Sequence, residues 1–220
     1  MQIWSTDILH FLAGLILVSS FALLYQDRLF ALLNVFAFQS TALALAVALQ
    51  AYIQGASHLY ITAALALVMK GIIIPGALRR IIRHMKIHRS IETVVSVNVT
   101  MLAGVGLTIL AIMVVFPVAR MSSVVAREDL AFALTVILLG MLMMITRRNA
   151  ISQVIGFMAL ENGLILAATG AKGMPLVVEI SVAFSVLIAF FVFGIFIFRI
   201  REHFDNIDVD DLSAKRGDAE

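Results

Sequence analysis

The sequence predicts an all-α, polytopic integral membrane protein with seven transmembrane helices. Of its 220 residues, 62% are hydrophobic and only 14% are charged, whereas soluble domains carry about 25% charged residues. Apolar stretches recur along the whole chain, and a run of about 20 apolar residues is long enough to cross the hydrocarbon core as a helix. Most basic residues lie between these stretches, as expected of loops at a membrane surface.

Seven stretches are long and apolar enough to cross a bilayer. In order, they run over Ile8–Tyr25, Leu29–Ile53, Leu59–Leu78, Thr93–Val118, Leu130–Thr146, Ala150–Thr169 and Leu176–Ile200. The first stretch lacks a basic n-region, and Asp7 stands where a positive charge would be expected, so it indicates a retained helix rather than a signal peptide. We therefore expect a transmembrane domain over residues 1–200 and a polar cytoplasmic tail over residues 201–220.

The basic residues indicate the orientation of the chain, because Lys and Arg are enriched in cytoplasmic loops. With seven spans, 12 basic residues fall on one side: Arg28, Arg79, Arg80, Arg83, Lys86, Arg89, Arg147, Arg148, Arg199, Arg201, Lys215 and Arg216. The other side has three, Arg120, Arg127 and Lys172. The bias predicts an N-terminus outside and a C-terminus in the cytoplasm. Such clusters also contact lipid phosphates, and without a basic fold motif they do not indicate nucleic-acid binding.

Three charged residues lie within the apolar stretches: Lys70, Glu161 and Glu179. At about 1.5 Å per residue, Lys70 is about 16 Å from the start of its span and Glu161 lies at a similar depth. A charge at mid-membrane costs about 2.5–3.5 kcal/mol on insertion scales. Both residues are therefore candidates for a proton relay or ion pathway, or for a buried ion pair that holds helices together. Glu179 lies only about 5 Å from the outer end of its span, and a functional and a structural interpretation are equally open for it.

Amide side chains accompany these charges. Gln153 and Asn162 share the sixth span with Glu161, and Asn34 and Gln39 lie in the second. Intramembrane amides serve as interhelical hydrogen-bond partners. Gln153 and Asn162 are also candidates for a hydrated polar path beside Glu161.

Small residues indicate where helices pack closely. Gly156 and Gly163 lie on one face of the sixth span, with Gly163 about 160° from Glu161 at 100° per residue, and Ser181 and Ser185 form a similar stripe in the seventh. Small residues let helix backbones approach each other, whereas a carboxyl should not face lipid. The sixth span therefore needs cover on two sides, which suggests partner subunits.

The remaining residues offer no self-contained active site. With no cysteine in the chain, structural disulfides, cysteine-ligated iron–sulfur clusters and thiolate zinc sites are excluded here. His84 and His88 are four residues apart, but without a carboxylate between them they are weak metal ligands. His10, near the outer end of the first span, is interpreted as an interface residue. We expect no catalytic, cofactor-binding or metal-binding residue in this chain.

Several motifs together resemble a known membrane family. They are the run from Arg147 to Gly156 (RRNAISQVIG), Leu160 to Gly163 (LENG), Leu176 to Ile180 (LVVEI), Asn206 to Val209 (NIDV), Lys215 to Gly217 (KRG), and Lys70 followed by Pro75. This combination resembles component E of the hydrogenase-4 and formate hydrogenlyase membrane arms, over most of the chain.

The part over residues 130–217 also resembles the K subunit of respiratory complex I and component C of multisubunit cation/proton antiporters. Arg147 to Asn149 and Asn206 to Asp208 carry that resemblance. Aligned on them, the two membrane glutamates of the K subunit fall at Met158 and Leu187. In this chain one glutamate is a turn later and the other about two turns earlier, so the relay chemistry is either retained at shifted depths or altered.

The resemblance implies a non-catalytic subunit of a complex-I-like membrane arm in a bacterial or archaeal cytoplasmic (inner) membrane. Neighbouring subunits would be antiporter-like, and nickel–iron and iron–sulfur centres would lie in partner subunits. This chain would place Glu161, with Lys70 and Glu179, in a polar axis that couples hydrogen or formate oxidation to proton or sodium movement. The alternatives are a stand-alone secondary ion transporter and a purely structural membrane anchor.

Overall fold

The computed structural model describes residues 2–84, 91, 93–118, 124–170 and 187, and this part of the chain is helical. The helices are α1 (Gln2–Tyr25), α2 (Leu29–Gln54), α3 (Ser57–Leu65), α4 (Ile74–His84), α5 (Val97–Val118), α6 (Val124–Thr146) and α7 (Ala150–Gly170), with a π-helical segment (Ala66–Ile73) that joins α3 to α4. Because α3, the π-helical segment and α4 are continuous, they form one membrane-length helix. With it, the described residues contain six helices that are long and apolar enough to cross a membrane.

The helical character and the first six predicted spans are confirmed. Three boundaries differ by six residues: α1 begins at Gln2 rather than Ile8, α6 begins at Val124 rather than Leu130, and the third span continues to His84 rather than ending at Leu78. Arginine stems cover apolar surface while their charged heads reach water, so a helix can extend past its apolar run. The seventh predicted span, Leu176–Ile200, lies outside the described residues except for Leu187, and so does the tail.

The turn between α2 and α3 depends on one glycine. Gly55 follows α2 with φ at 65°, and its backbone N–H donates to the carbonyl of Ala51. A left-handed residue at this position ends a helix, and glycine adopts it without strain. The turn sets the third span antiparallel to α2.

Helices α6 and α7 approach each other closely enough for their backbones to touch. A Cβ atom at Gly140 would lie 2.6 Å from the backbone nitrogen of Leu160. On α7, a Cβ atom at Gly163 would lie 2.9 Å from the backbone nitrogen of Ile137, and one at Gly156 would lie 3.1 Å from the carbonyl oxygen of Gly140. The pairing of these two helices therefore requires glycine on both sides.

The buried side chains form two apolar layers with polar residues between them. One layer includes Leu23, Phe36, Ile74 and Met158, and the other includes Ile16, Leu43, Ala63 and Ile165. In α1, α2, the third span and α7, each helix passes from one apolar layer to the other. The buried polar residues lie along the helices between the two layers: Ser20, Gln39, Ser40, Lys70, Glu161 and Asn162. A polar layer thus crosses the helix bundle at mid-depth.

Arg147, directly after α6, connects that end of the bundle to the end of α1. The residue is 1% exposed, and its guanidinium donates hydrogen bonds to the carbonyls of Leu24 (2.5 Å) and Leu23 (3.4 Å), at the C-terminal end of α1. The last carbonyls of a helix lack intrahelical donors and carry partial negative charge. Burial lowers the pKa of the Arg147 guanidinium, and the nearby Asp27 carboxylate opposes that shift.

Backbone hydrogen bonds complete this end of the bundle. The N–H of Ile91 donates to the carbonyl of Asp27 (2.8 Å), and the N–H of Val94 donates to that of Thr146 (2.9 Å). The loops after α1, before α5 and after α6 therefore lie on the same side, as the distribution of basic residues requires. Assignment of that side to the cytoplasm stays a prediction.

We expect Arg147→Gln to lower the free energy of unfolding by about 1.5–3 kcal/mol, because hydrogen bonds from a charged group contribute that much. Arg148→Gln is the matched control: Arg148 is exposed, and surface changes usually stay within about 0.5 kcal/mol. Denaturant unfolding in mixed micelles measures both. Equal stability of the two variants would contradict the structural role of Arg147.

Candidate functional site

Lys70 and Glu161 form an ion pair at the centre of the polar layer. Lys70 Nζ lies 3.1 Å from Glu161 Oε2, and the two side chains are 1% and 3% exposed. Lys70 comes from the π-helical segment of the third span and Glu161 from α7, so the pair joins elements 91 residues apart in the chain. A buried pair of this kind requires further hydrogen bonds, because removal from water costs several kcal/mol per ion.

Lys70 lies in the π-helical segment, which ends two residues before Pro75. At the end of the segment, the N–H of Ile74 donates to the carbonyl of Met69, five residues earlier. Pro75 follows directly, and a proline ring clashes with the carbonyl four residues before it, here that of Gly71. Widening of the helix before Pro75 relieves such a clash. Short π-helical segments inside α-helices are frequent at functional sites.

A chain of hydrogen bonds runs from the ion pair across two more helices. Lys70 Nζ donates to Asn162 Oδ1 (3.0 Å), and Asn162 Nδ2 donates to Gln39 Oε1 (3.2 Å). Gln39 Nε2 donates to Ser20 Oγ (2.7 Å), whose hydroxyl donates to the carbonyl of Ile16 (3.1 Å). The chain thus connects the third span, α7, α2 and α1. Asn162 Nδ2 also lies 3.4 Å from Ser40 Oγ.

The direction of these bonds follows from Lys70. An ammonium only donates, so Asn162 must turn its oxygen to Lys70 and its nitrogen to Gln39. Gln39 must then accept at its oxygen and donate from its nitrogen, and the chain ends on a backbone carbonyl. Amides do not exchange protons at accessible pH, so this chain orients the Lys70 nitrogen and does not itself conduct protons.

The surroundings make the pair electrostatically sensitive. Gln39, Ser40 and Asn162 are fully buried, and the two apolar layers lie on either side of the site. In a medium of low effective dielectric, charges interact more strongly than in water. A change of charge nearby would therefore act on this pair more strongly than on the same two groups in water.

The structure places the other candidate residues as follows. Gln153 is exposed at the start of α7 and donates to the carbonyl of Arg147 (2.8 Å), so it lies apart from the polar layer. Asn34 accepts a hydrogen bond from Arg79 near the start of α2. His10 contacts Asp129 (2.9 Å) and Glu128 (3.2 Å), which joins α1 to the start of α6. Glu179, Ser181, Ser185 and His88 lie outside the described residues.

The expected cover of α7 on two sides is supplied within this chain. Gly156 and Gly163 face α6, while Glu161 meets Lys70 and Asn162 meets Gln39 of α2. The prediction that α7 is covered on two sides is confirmed, and because other helices of this chain supply the cover, α7 by itself does not require a partner subunit.

Ser20, Ser40 and Arg147 were not identified as site residues from the sequence. A serine within an apolar helix usually bonds to its own backbone four residues earlier, as Ser20 does, so its second contact carries no sequence signal. Arg147 was counted among the loop arginines. No group of three or more His, Asp or Glu side chains that could hold a metal ion occurs in the described part of the chain.

Comparison with known proteins identifies relatives of nearly the same length. An uncharacterized protein of Mycobacterium tuberculosis is 30% identical over 95% of this chain and 96% of its own. Hydrogenase-4 component E of Escherichia coli K12 is 26% identical over 96% of this chain and 98% of its own, and that of Shigella flexneri matches to the same extent. No family model and no solved structure matches. The chain belongs to the family of the mycobacterial protein and is a distant, full-length homologue of hydrogenase-4 component E.

Proposed function

We propose that this protein is a non-catalytic membrane subunit of a complex-I-like complex of the hydrogenase-4 or formate hydrogenlyase type. In that complex, Lys70 and Glu161 take part in redox-coupled translocation of protons or sodium ions. The full-length homology to hydrogenase-4 component E supports the assignment to such a complex. The buried Lys70–Glu161 pair is the single observation that carries the role in ion movement.

The two groups exchange a proton directly. Transfer of one proton from the Lys70 ammonium to the Glu161 carboxylate converts the ion pair into a neutral amine and a carboxylic acid. The Lys70 nitrogen keeps an N–H for Asn162 in both states, so its position does not change. Delivery of the Glu161 proton to a neighbouring acceptor, followed by uptake of another, completes a cycle with no net change in the pair.

Partner subunits supply what this chain lacks. Antiporter-like subunits adjoin it in the membrane and offer the next proton donors and acceptors, and nickel–iron and iron–sulfur centres lie in the peripheral partners. Polar layers at matching depth would make the ion pathway continuous along the membrane. Glu179, in the predicted seventh span, is a candidate for the next group along this axis.

The test is Glu161→Gln in the complete complex. This change keeps the shape and the acceptor oxygen of the side chain but removes its exchangeable proton. We expect normal assembly, and ion translocation per electron pair at least tenfold lower in inverted vesicles. Glu128→Gln is the matched control, since Glu128 lies at the start of α6, is 41% exposed and contacts His10 rather than the polar layer. This variant should translocate at the normal rate.

The alternatives give different results. A structural anchor predicts that Glu161→Gln assembles and translocates normally, which would refute the relay. A stand-alone transporter predicts that the purified chain moves ions in liposomes without any partner. Either result would overturn the proposed function.

A further inference from the structure

A groove with positively charged walls lies at the C-terminal end of the third span. Its volume is about 490 Å³, and it is lined by Gly76, Arg79, Arg80 and Arg83. The apolar run of the third span ends at Leu78, and Arg83 lies one residue before the end of α4 at His84. The groove therefore lies at the depth of lipid headgroups.

Two of the three arginines are held by neutral partners. Arg79 donates a hydrogen bond to the Asn34 amide oxygen, and the Arg83 guanidinium lies 5.9 Å from the centre of the Phe30 ring. Both partners belong to α2. Within the described residues, none of the three arginines forms an ion pair with a carboxylate. No described carboxylate therefore neutralises the positive charge of the groove, which its α2 partners hold in place.

The shape of the groove suits a phosphate group. Arginine binds phosphate oxygens through two parallel N–H donors, and Arg80 is exposed and free to do so. Gly76 contributes no side chain, and the space where a Cβ atom would lie is open for 4 Å. A headgroup can therefore reach the guanidinium groups beside the helix.

We propose that this groove binds the phosphodiester headgroup of an anionic phospholipid. The depth of the groove selects a lipid over a soluble phosphate, because the acyl chains of a lipid bound there extend along the apolar third span. A positive charge that no carboxylate in the described part of the chain compensates favours an anionic lipid over a zwitterionic one. The site lies nine residues beyond Lys70 on the same helix, so a bound lipid would contact the element that carries the ion pair.

The experiment is native mass spectrometry of the full-length protein in detergent, titrated with phosphatidylglycerol or with phosphatidylcholine of the same acyl chains. We expect one phosphatidylglycerol to bind at least tenfold more tightly than phosphatidylcholine. Arg80→Gln should weaken that binding about fivefold, and the triple change of Arg79, Arg80 and Arg83 to Gln about a hundredfold, since each basic residue near an anionic lipid contributes a factor of about five.

The matched control is Arg148→Gln, which removes an exposed arginine outside the groove. It should bind phosphatidylglycerol like the unchanged protein. Arg80 makes no hydrogen bond or ion pair to any described residue, so its replacement should leave the fold intact. Equal affinity for both lipids, equal weakening by Arg80→Gln and Arg148→Gln, or displacement of the lipid by millimolar inorganic phosphate would each overturn the proposal.

Discussion

Lys70→Met is expected to lower the free energy of unfolding by about 3–5 kcal/mol, because loss of one partner of a buried ion pair leaves the other charge without compensation. It also removes the hydrogen bond that Asn162 Oδ1 accepts from Lys70 Nζ. A methionine has nearly the volume of a lysine, so the effect reports charge and hydrogen bonding rather than a cavity. Denaturant unfolding of the full-length protein in mixed micelles measures the loss.

The double variant Lys70→Met with Glu161→Gln separates the two contributions. A buried ion pair replaced by neutral side chains of similar volume often loses little stability. The double variant should therefore recover most of the loss and remain about 1–3 kcal/mol below the unchanged protein, the cost of a buried acceptor without its donor. It should also translocate no ions. A double variant no more stable than Lys70→Met would show that the two residues are not energetically coupled.

Gly140→Ala is expected to destabilise the pairing of α6 and α7 by about 1–3 kcal/mol or more, as overpacking does in well-packed interiors. The new Cβ atom would lie 2.6 Å from a backbone nitrogen and 2.8 Å from a backbone oxygen of α7. Backbone atoms cannot turn away as a flexible side chain can, so the helices must separate. Separation would also displace Glu161, which α7 carries.

Gly106→Ala is the matched control for this change. Gly106 lies within α5, is exposed, and has open space for 4 Å where its Cβ atom would be. Alanine is favoured over glycine within a helix by about 0.5–1 kcal/mol, so this variant should be equally or more stable. Thermal unfolding of both variants in the same detergent makes the comparison. Similar losses in the two would show that glycine matters for a reason other than the α6–α7 contact.

The sequence by itself determined the first six helical spans and the similar depth of Lys70 and Glu161. About 20 apolar residues in succession identify a span without reference to any neighbour, and five of the first six predicted spans end within one residue of the observed helices. The rise per residue placed Lys70 and Glu161 at similar depth. The length of a span and the depth of a residue within it depend only on neighbouring residues in the chain, so both follow from the sequence.

Tertiary structure decided which polar groups meet. The contacts of Glu161 with Lys70 and of Asn162 with Gln39 depend on how three helices are rotated and shifted relative to one another. Apolar packing between distant parts of the chain sets those rotations and shifts. The same holds for Ser20, whose contact with Gln39 requires α1 and α2 to pack at one particular height.

Arg147 is the clearest example of a residue whose burial depends on the tertiary structure. In the sequence it is one of two adjacent arginines in a basic loop, indistinguishable from Arg148. In the structure it is buried against the end of α1, while Arg148 is exposed. The difference arises because the end of α1 lies beside the end of α6 and offers carbonyl groups that need a donor. Burial of a charge depends on what surrounds it, and only the folded chain provides those surroundings.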